Sequence, residues 1–324
     1  MSERKGPVRS GPAEARAARS RAAESGPVRS GRDKSGTARI LIGVSMAIFG
    51  TIGLFVRAIP LPSSEVALYR AVLATAVIGL YLLITGQKIE FAGMRRELIL
   101  LIISGIAMGF NWILLFEAYK YTTVSVATLS YYAAPVIITF VSATLFREKL
   151  TRRGILCFVM STLGILLITV SGGGMSGKGT DHIGILFGLG AAVLYATVVL
   201  LNKFIKNVGG IQRTFLQFVA AGVTLLPYVL MTGGTHLGDL DPRGWAFLLI
   251  VGFVHTGIAY CMYFSSLQYV TGQEAALLSY IDPLLAVILS VTVLREPMSL
   301  LQVVGGAMIL GFTLLNELPE KNQS

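Results

Sequence analysis

The chain of 324 residues is strongly apolar: 54% of its residues are hydrophobic and 14% are charged, with a mean hydropathy of +0.71. A soluble globular domain carries about 25% charged residues, so this composition excludes a single soluble domain. The formal net charge of +10 arises partly at the N-terminus, where residues 1–39 hold ten basic residues against four acidic ones.

Residues 1–38 differ in composition from the rest of the chain. "GPVRSG" occurs at 6–11 and again at 26–31, within a tract of Arg, Ala, Ser, Gly and Pro. Because this tract has little apolar surface to bury and no apolar core of a secretory signal, we predict a disordered, basic cytoplasmic tail. Basic flanks are what membrane topology requires, so we expect weak attraction to anionic lipid and no nucleic-acid binding. An organellar transit peptide is the alternative.

Ten apolar segments follow, each long enough to cross a hydrocarbon core of ~30 Å, which takes about 20 helical residues. In chain order we number the predicted spans 1 to 10: 39–57, 64–86, 97–119, 122–146, 153–171, 182–204, 211–231, 243–266, 272–294 and 298–317. The side that carries the N-terminus holds 21 Lys and Arg and the other side holds five. The positive-inside rule therefore predicts cytoplasmic N- and C-termini, and we expect a plasma (inner) membrane protein.

No cofactor or metal site is predicted. Residues 172–180, "GGGMSGKGT", approximate a phosphate-binding loop, but Gly179 stands where the magnesium-binding hydroxyl is needed and no strand precedes it. We interpret this stretch as a linker. Cys157 and Cys261 lie in separate spans and the three histidines are widely spaced, which argues against a metal site.

The second half of the chain repeats the first. Residues 116–148 align with 264–296 at an offset of 148, with eleven identities in 33 positions, among them Tyr132 with Tyr280 and Pro135 with Pro283. Each half holds five spans, and an odd number means that the halves enter the membrane in opposite directions. Inverted repeats are typical of secondary transporters, whose substrate site lies near the midplane between the repeats.

Two stretches carry a resemblance to a known family. "YTTVSVATLSYYAAPVIITFVSATLFREKLTRRG" and "YVTGQEAALLSYIDPLLAVILSVTVLREPMS" resemble the paired signatures of EamA-type transporters of the drug/metabolite transporter superfamily. The resemblance covers 39–317 and implies an all-α polytopic membrane protein with ten helices in two inverted five-helix repeats. It also implies transport of small metabolites, often export of amino acids or related compounds. Asp282 departs from the pattern, since the first repeat has Ala134 there.

These observations divide the chain into five parts. They are the tail (1–38), a first EamA-like five-helix repeat (39–171), a Gly-rich linker (172–181), a second EamA-like repeat (182–317) and a C-terminal tail (318–324).

Asp282 is the leading candidate for a functional residue. It precedes Pro283, which lacks an N–H and is expected to kink its helix as Pro135 does in span 4. An ionisable group at membrane depth is costly unless it is paired or hydrated, so it indicates substrate binding or coupling. Asp282 could form a proton relay with His255 or a structural ion pair with Arg70.

Each of the remaining candidates could have a structural role instead of a role in substrate binding or coupling. Arg70 could hold a substrate carboxylate or extend to the membrane interface, and His255 could be a hydrogen-bonded packing residue. The other candidates are polar or aromatic residues of the spans: Asn111, Trp112, Glu117, Tyr131, Tyr132, Tyr195, Tyr260 and Tyr280. Glu117 could only mark a helix end beside Lys120, and tyrosines at depth also occur in ordinary packing.

The sequence therefore predicts a secondary transporter, and not an enzyme, that exports small polar metabolites by alternating access. Arg70 with Asp282 would suit a zwitterion such as an amino acid, and protons are the expected coupling ion. The alternatives are a passive channel and an intramembrane enzyme using His255 and Asp282. Its partners are the substrate and the lipid bilayer; the sequence sets no oligomeric state.

Overall fold

The computed structural model describes residues 29–87, 89, 95–145, 152–171, 180–205 and 208–318. Three parts of the prediction fall outside these described residues: the disorder of 1–28, most of the linker (172–179) and the C-terminal tail from 319. Within them, every regular element is a helix. The predicted all-α class is confirmed.

The described residues of the first half form six helices. They are α1 (Arg29–Arg57), α2 (Ser63–Thr85), α3 (Arg95–Tyr121), α4 (Val124–Tyr131), α5 (Ala134–Leu145) and α6 (Arg152–Ser171). α1 begins ten residues before the predicted span 1, so residues 29–38 are helical where we predicted disorder. Once a helix is nucleated by its apolar span, adding residues at its end costs little, which explains the extension.

In the second half, the part of the chain that the structure describes forms seven α-helices, with a 3₁₀ turn (Leu237–Asp239) and a π-helical segment (Ile250–Ile258) between them. The α-helices are α7 (Asp181–Lys203), α8 (Gly210–Thr232), α9 (Pro242–Leu249), α10 (Ala259–Leu267), α11 (Gly272–Ser279), α12 (Ile281–Thr292) and α13 (Leu300–Glu317). α9, the π segment and α10 run on as one rod, which is span 8.

The helices account for the ten predicted spans. Among the described residues, eight helical segments are long and apolar enough to cross a membrane, and the 20-residue α6 and the apolar part of α13 supply spans 5 and 10. Because ten is even, the start of α1 and the end of α13 lie on one face of the membrane, the termini face. The other is the opposite face.

Spans 4 and 9 are each interrupted near their middle. α4 ends at Tyr131 and α5 begins at Ala134, while α11 and α12 are separated only by Tyr280. Both breaks come just before the repeated proline, whose ring cannot donate to the preceding turn. Broken helices at membrane depth are found where they line a cavity, because their freed polar groups need partners.

The repeats contact each other through equivalent pairs of spans. Span 1 packs on span 9, and span 6 packs on span 4, while α6 and α13 pack together at the periphery. At Gly50 an added Cβ would lie 2.6 Å from the carbonyl oxygen of Asp282, and at Gly188 it would lie 2.9 Å from the Cβ of Ser130. Glycine is needed at both positions because the backbones approach so closely.

Candidate functional site

A cavity of about 580 Å³ lies between the two repeats. Residues from spans 1 to 4 and 6 to 9 line it, and among the described residues none from α6 or α13 does. It reaches the termini face through Asn202 and Arg213, at the end of span 6 and the start of span 7. Toward the opposite face its lining ends near Tyr119.

The structure brings most of the predicted candidates to this cavity. Those that line it are Arg70, Asn111, Trp112, Tyr131, Tyr132, Pro135, Tyr195, Tyr260, Tyr280 and Asp282. Three candidates do not line it: Glu117, His255 and Pro283. The lining thus contains one acidic side chain, Asp282, among its described residues.

Asp282 lies at the second position of α12, just beyond the break in span 9. Its Oδ2 accepts a hydrogen bond of 3.2 Å from the Tyr132 hydroxyl, which comes from the break in span 4. The same hydroxyl lies 3.3 Å from the carbonyl oxygen of Ser279. The two interrupted helices therefore meet at this carboxylate, although no basic side chain among the described residues lies within 4 Å of it.

Arg70 is buried, with 5% of its surface exposed. Its Nε donates to the Thr256 hydroxyl at 2.7 Å, and its guanidinium carbon lies 4.3 Å from the centre of the Trp112 ring. Thr256 belongs to the π segment and also donates to the Val251 carbonyl oxygen at 2.8 Å. Arg70 is held by one hydrogen bond and by cation–π contact, and no carboxylate of a described residue forms an ion pair with it.

His255 lies outside the cavity, on a different side of span 8 from its neighbour in sequence, Thr256. Its Nε2 is 2.8 Å from the Thr51 hydroxyl, its Nδ1 is 3.3 Å from the Ile250 carbonyl oxygen, and its ring packs against Phe55. None of these contacts joins His255 to Asp282. In this structure the imidazole acts as a hydrogen-bonded link between span 8 and span 1.

Two other candidates have clear structural partners. Asn111 donates from Nδ2 to the Ala191 carbonyl oxygen at 2.6 Å, so it links α3 to α7 at the cavity wall. Glu117 accepts from Lys120 at 3.1 Å near the end of α3, which is the arrangement expected of a helix end at the membrane interface.

Aromatic rings form much of the cavity wall. Tyr131 lies 5.5 Å from Tyr195 between ring centres, and Tyr260 lies 5.0 Å from Phe49 and 5.2 Å from Phe218 in edge-to-face geometry. Such packing fixes the rings in place and leaves the tyrosine hydroxyls as the polar points of this aromatic part of the wall.

The sequence analysis missed a polar group near the termini face. Gln217 of α8 donates to the Ser104 hydroxyl at 2.7 Å and to Asn202 Oδ1 at 2.8 Å, and Arg213 donates to the Val208 carbonyl oxygen at 3.1 Å. Gln217 is a buried amide within an apolar span, and that alone could have singled it out.

The family follows from comparison with known proteins. The model of the EamA-like transporter family matches residues 37–170 and again 182–317. The chain belongs to this family. The EamA-like family lies in the drug/metabolite transporter superfamily, so the chain is a multi-pass membrane transporter with two repeats.

Two relatives match most of the chain. An uncharacterized transporter, YxxF, of Bacillus subtilis is 31% identical over 276 residues, which is 84% of this chain and 87% of the relative. Protein PecM of Dickeya dadantii is 26% identical over 72% of this chain and 77% of its own length.

A solved crystal structure has the same fold. It superimposes with a TM-score of 0.59 at 16% identity, over 87% of this chain and 96% of the other. At this identity the likeness concerns the fold alone.

Proposed function

We propose that this transporter is a secondary exporter of small zwitterionic metabolites, of the amino-acid type, that works by alternating access. The observation that carries the proposal is the pair of opposite charges, Arg70 and Asp282, in one cavity between the repeats, without an ion pair between them. A cation and an anion held apart in one cavity suit a ligand that carries both charges.

Arg70 would bind the substrate carboxylate. Its Nε is taken by Thr256, and its other N–H groups form no hydrogen bond to a described residue. A buried guanidinium is costly without an anionic partner, and its fork of N–H donors matches the two oxygens of a carboxylate. The stack on Trp112 fixes the plane in which the carboxylate would bind.

Asp282 would take either the substrate ammonium group or a coupling proton. Its single side-chain hydrogen bond to a described residue, from Tyr132, leaves further acceptor positions on the carboxylate free. Since a lone charge at this depth is costly, a proton or an ammonium group would relieve the cost in the loaded state. Both roles require the carboxylate to face the cavity.

The cavity has the size of a small-molecule site. Pockets for small ligands hold roughly 300–1,000 Å³ and combine apolar walls with a few polar groups. The volume of about 580 Å³ and the tyrosine-rich lining agree with that pattern and leave room for an amino-acid side chain.

The direction of opening fits the loading step of an export cycle. The lining reaches Asn202 and Arg213 on the termini face, and charge placement predicts that this face is cytoplasmic. A cavity that opens to the cytoplasm can load a cytoplasmic substrate before the opposite face opens.

The test is substrate flux in proteoliposomes. A panel of amino acids, organic acids and amines is assayed with and without a pH gradient, for wild type, Arg70→Gln and Asp282→Asn. We expect Arg70→Gln to lose flux of carboxylate substrates, and Asp282→Asn to lose gradient-driven flux while it retains exchange.

Matched controls remove charges outside the cavity. Arg243→Gln and Asp239→Asn, both exposed, are expected to behave as wild type. Unchanged flux in both cavity variants would contradict the proposal. Flux that a substrate on the other side of the membrane does not stimulate would indicate a passive channel instead.

A further inference from the structure

A second cavity, of about 250 Å³, lies near the opposite face. It is enclosed by the ends of spans 1 and 3 and the start of span 2, with Arg57, Ser63 and Lys120 as its polar lining. The central cavity does not include any of these three residues.

One residue lines both cavities. Tyr119 lines both of them and is 3% exposed, and it stacks on the fully buried Phe116 at 6.5 Å between ring centres. The buried Tyr119 ring therefore lies where the central cavity and the second cavity come next to each other.

An ion pair holds the surrounding spans together on this face. The Glu296 carboxylate, just after α12, pairs with the Arg57 guanidinium at the end of α1 and accepts from the Ser290 hydroxyl. Its Oε2 also accepts from the Val124 backbone N–H, the first of α4, at 2.9 Å. One carboxylate thus joins the ends of spans 1 and 9 to the start of span 4.

The burial of this pair sets it apart from a second link between the same spans. Arg39 and Glu274 join span 1 to span 9 on the termini face, with side chains 54% and 32% exposed, whereas Arg57 and Glu296 are 32% and 10% exposed. Salt screens an exposed pair strongly and a partly buried one less. Of these two ion pairs between spans 1 and 9, the one on the opposite face is therefore the less screened by salt.

We infer that Tyr119 and the Arg57–Glu296 pair form the gate between the central cavity and the opposite face. The pair keeps spans 1, 4 and 9 together, and its separation frees Tyr119 to move and joins the two cavities. Released from Glu296, Arg57 then stands on the exit path, where its guanidinium can receive a substrate carboxylate. This inference rests on the alternating access proposed above.

The test measures access to the central cavity and does not depend on flux. Cys157 and Cys261, both buried, are replaced by alanine, and Ser279→Cys, at a half-buried position in the lining of the central cavity, becomes the reporter. A membrane-impermeant thiol reagent is added from either side of oriented proteoliposomes. In this background we expect labelling from the termini face and little from the opposite face.

Two gate variants should change this result. In Glu296→Gln and in Arg57→Gln, labelling from the opposite face should rise about tenfold. Loss of the ion pair should raise the population of the state that is open to that face, which is otherwise a minor state of roughly 1%. Glu296→Gln keeps an acceptor oxygen for the Val124 backbone N–H, and Arg57→Gln leaves the Glu296 carboxylate itself unchanged at the start of α4. The two variants therefore differ in their effect on folding. Lys120→Cys, at an exposed position of the second cavity, reports that the reagent reaches the opposite face.

Arg39→Gln is the matched control, because it removes the ion pair between the same two spans on the other face. It should leave labelling from the opposite face unchanged. Equal labelling of the reporter cysteine from the opposite face, with and without the two gate substitutions, would overturn the gate. If the gate variants change the labelling as expected but zwitterionic substrates show no flux, the gate is supported and the proposed substrate is contradicted. The two failures are therefore distinguishable.

Discussion

The Tyr132 hydroxyl, in the break of span 4, donates a hydrogen bond of 3.2 Å to Asp282, in the break of span 9. The sequence repeat pairs these residues with Tyr280 and Ala134, which also line the cavity but carry no second carboxylate. The contact is therefore asymmetric, although the two broken helices that form it are related by the repeat. It places the acidic group of the cavity on the contact between the repeats.

Tyr132→Phe removes this hydrogen bond and keeps the ring. A hydrogen bond to a charged group contributes about 1.5–3 kcal/mol, so we expect a loss of roughly tenfold or more in gradient-driven flux. Tyr269→Phe, at an exposed tyrosine, is the control. Equal flux in Tyr132→Phe and wild type would show that Asp282 does not depend on this donor.

Arg70→Lys keeps the positive charge but loses the planar group that stacks on Trp112 and bonds Thr256. Because an ammonium group cannot bind a carboxylate in the bidentate manner, we expect KM for carboxylate substrates to rise about tenfold. The matched control is Arg243→Lys, since Arg243 also stacks on an aromatic ring, Phe247, outside the cavity. An unchanged KM in Arg70→Lys would mean that charge alone is sufficient.

His236 should make stability depend on pH. Its Nδ1 lies 2.5 Å from Oε1 of the buried Glu65, and its backbone N–H donates to Oε2 at 2.8 Å. The hydrogen bond and charge of Glu65 raise the pKa of His236, with a smaller contribution from Asp239, and Tyr69 also bonds Glu65. Protonated His236 therefore stabilises the fold fully below its ordinary pKa of about 6.5, and this contribution is lost as pH rises through the raised pKa.

Thermal unfolding of wild type and His236→Gln measures this effect. Wild type should unfold at a higher temperature than the variant in mildly acidic buffer, and the difference should shrink in alkaline buffer. His182→Gln is the control, because the exposed His182 forms no ion pair among the described residues. A difference that is the same at every pH would exclude the Glu65 interaction as its cause.

The contact between α6 and α13 should not tolerate a side chain at Gly305. A Cβ there would lie 2.6 Å from the Gly164 carbonyl oxygen, whereas nothing lies within 4 Å of a Cβ at Gly311 on the same helix. We expect Gly305→Ala to lower stability by about 1–3 kcal/mol, the usual cost of overpacking. Gly311→Ala should be neutral or stabilising, and equal melting of the two variants would contradict the close contact.

Several residues of the cavity could be selected from sequence because they break a local rule. Asp282 is a charge in an apolar run, and the repeat identified the two prolines and their tyrosines. Local rules could not separate His255 from Thr256, since both are polar and adjacent. The π segment has a wider turn than an α-helix, so it changes which face each side chain occupies.

The gate residues show the same limit. Arg57 and Glu296 are 239 positions apart in sequence, and each stands at a helix end where a charge is ordinary. Arg213 likewise could not be selected from sequence, since its place at the mouth of the cavity beside Asn202 is visible only in the structure.

The sequence by itself determined the ten spans, the inverted repeat and the family, because apolar length, charge placement and repeated motifs are local properties that the bilayer acts on directly. Only the tertiary structure decided which polar side chains face the cavity and which instead form hydrogen bonds between packed helices. In a membrane both the lipid-facing and the buried sides of a helix are apolar, so the pattern of hydrophobic residues does not mark the inner face, and packing between the repeats determines it.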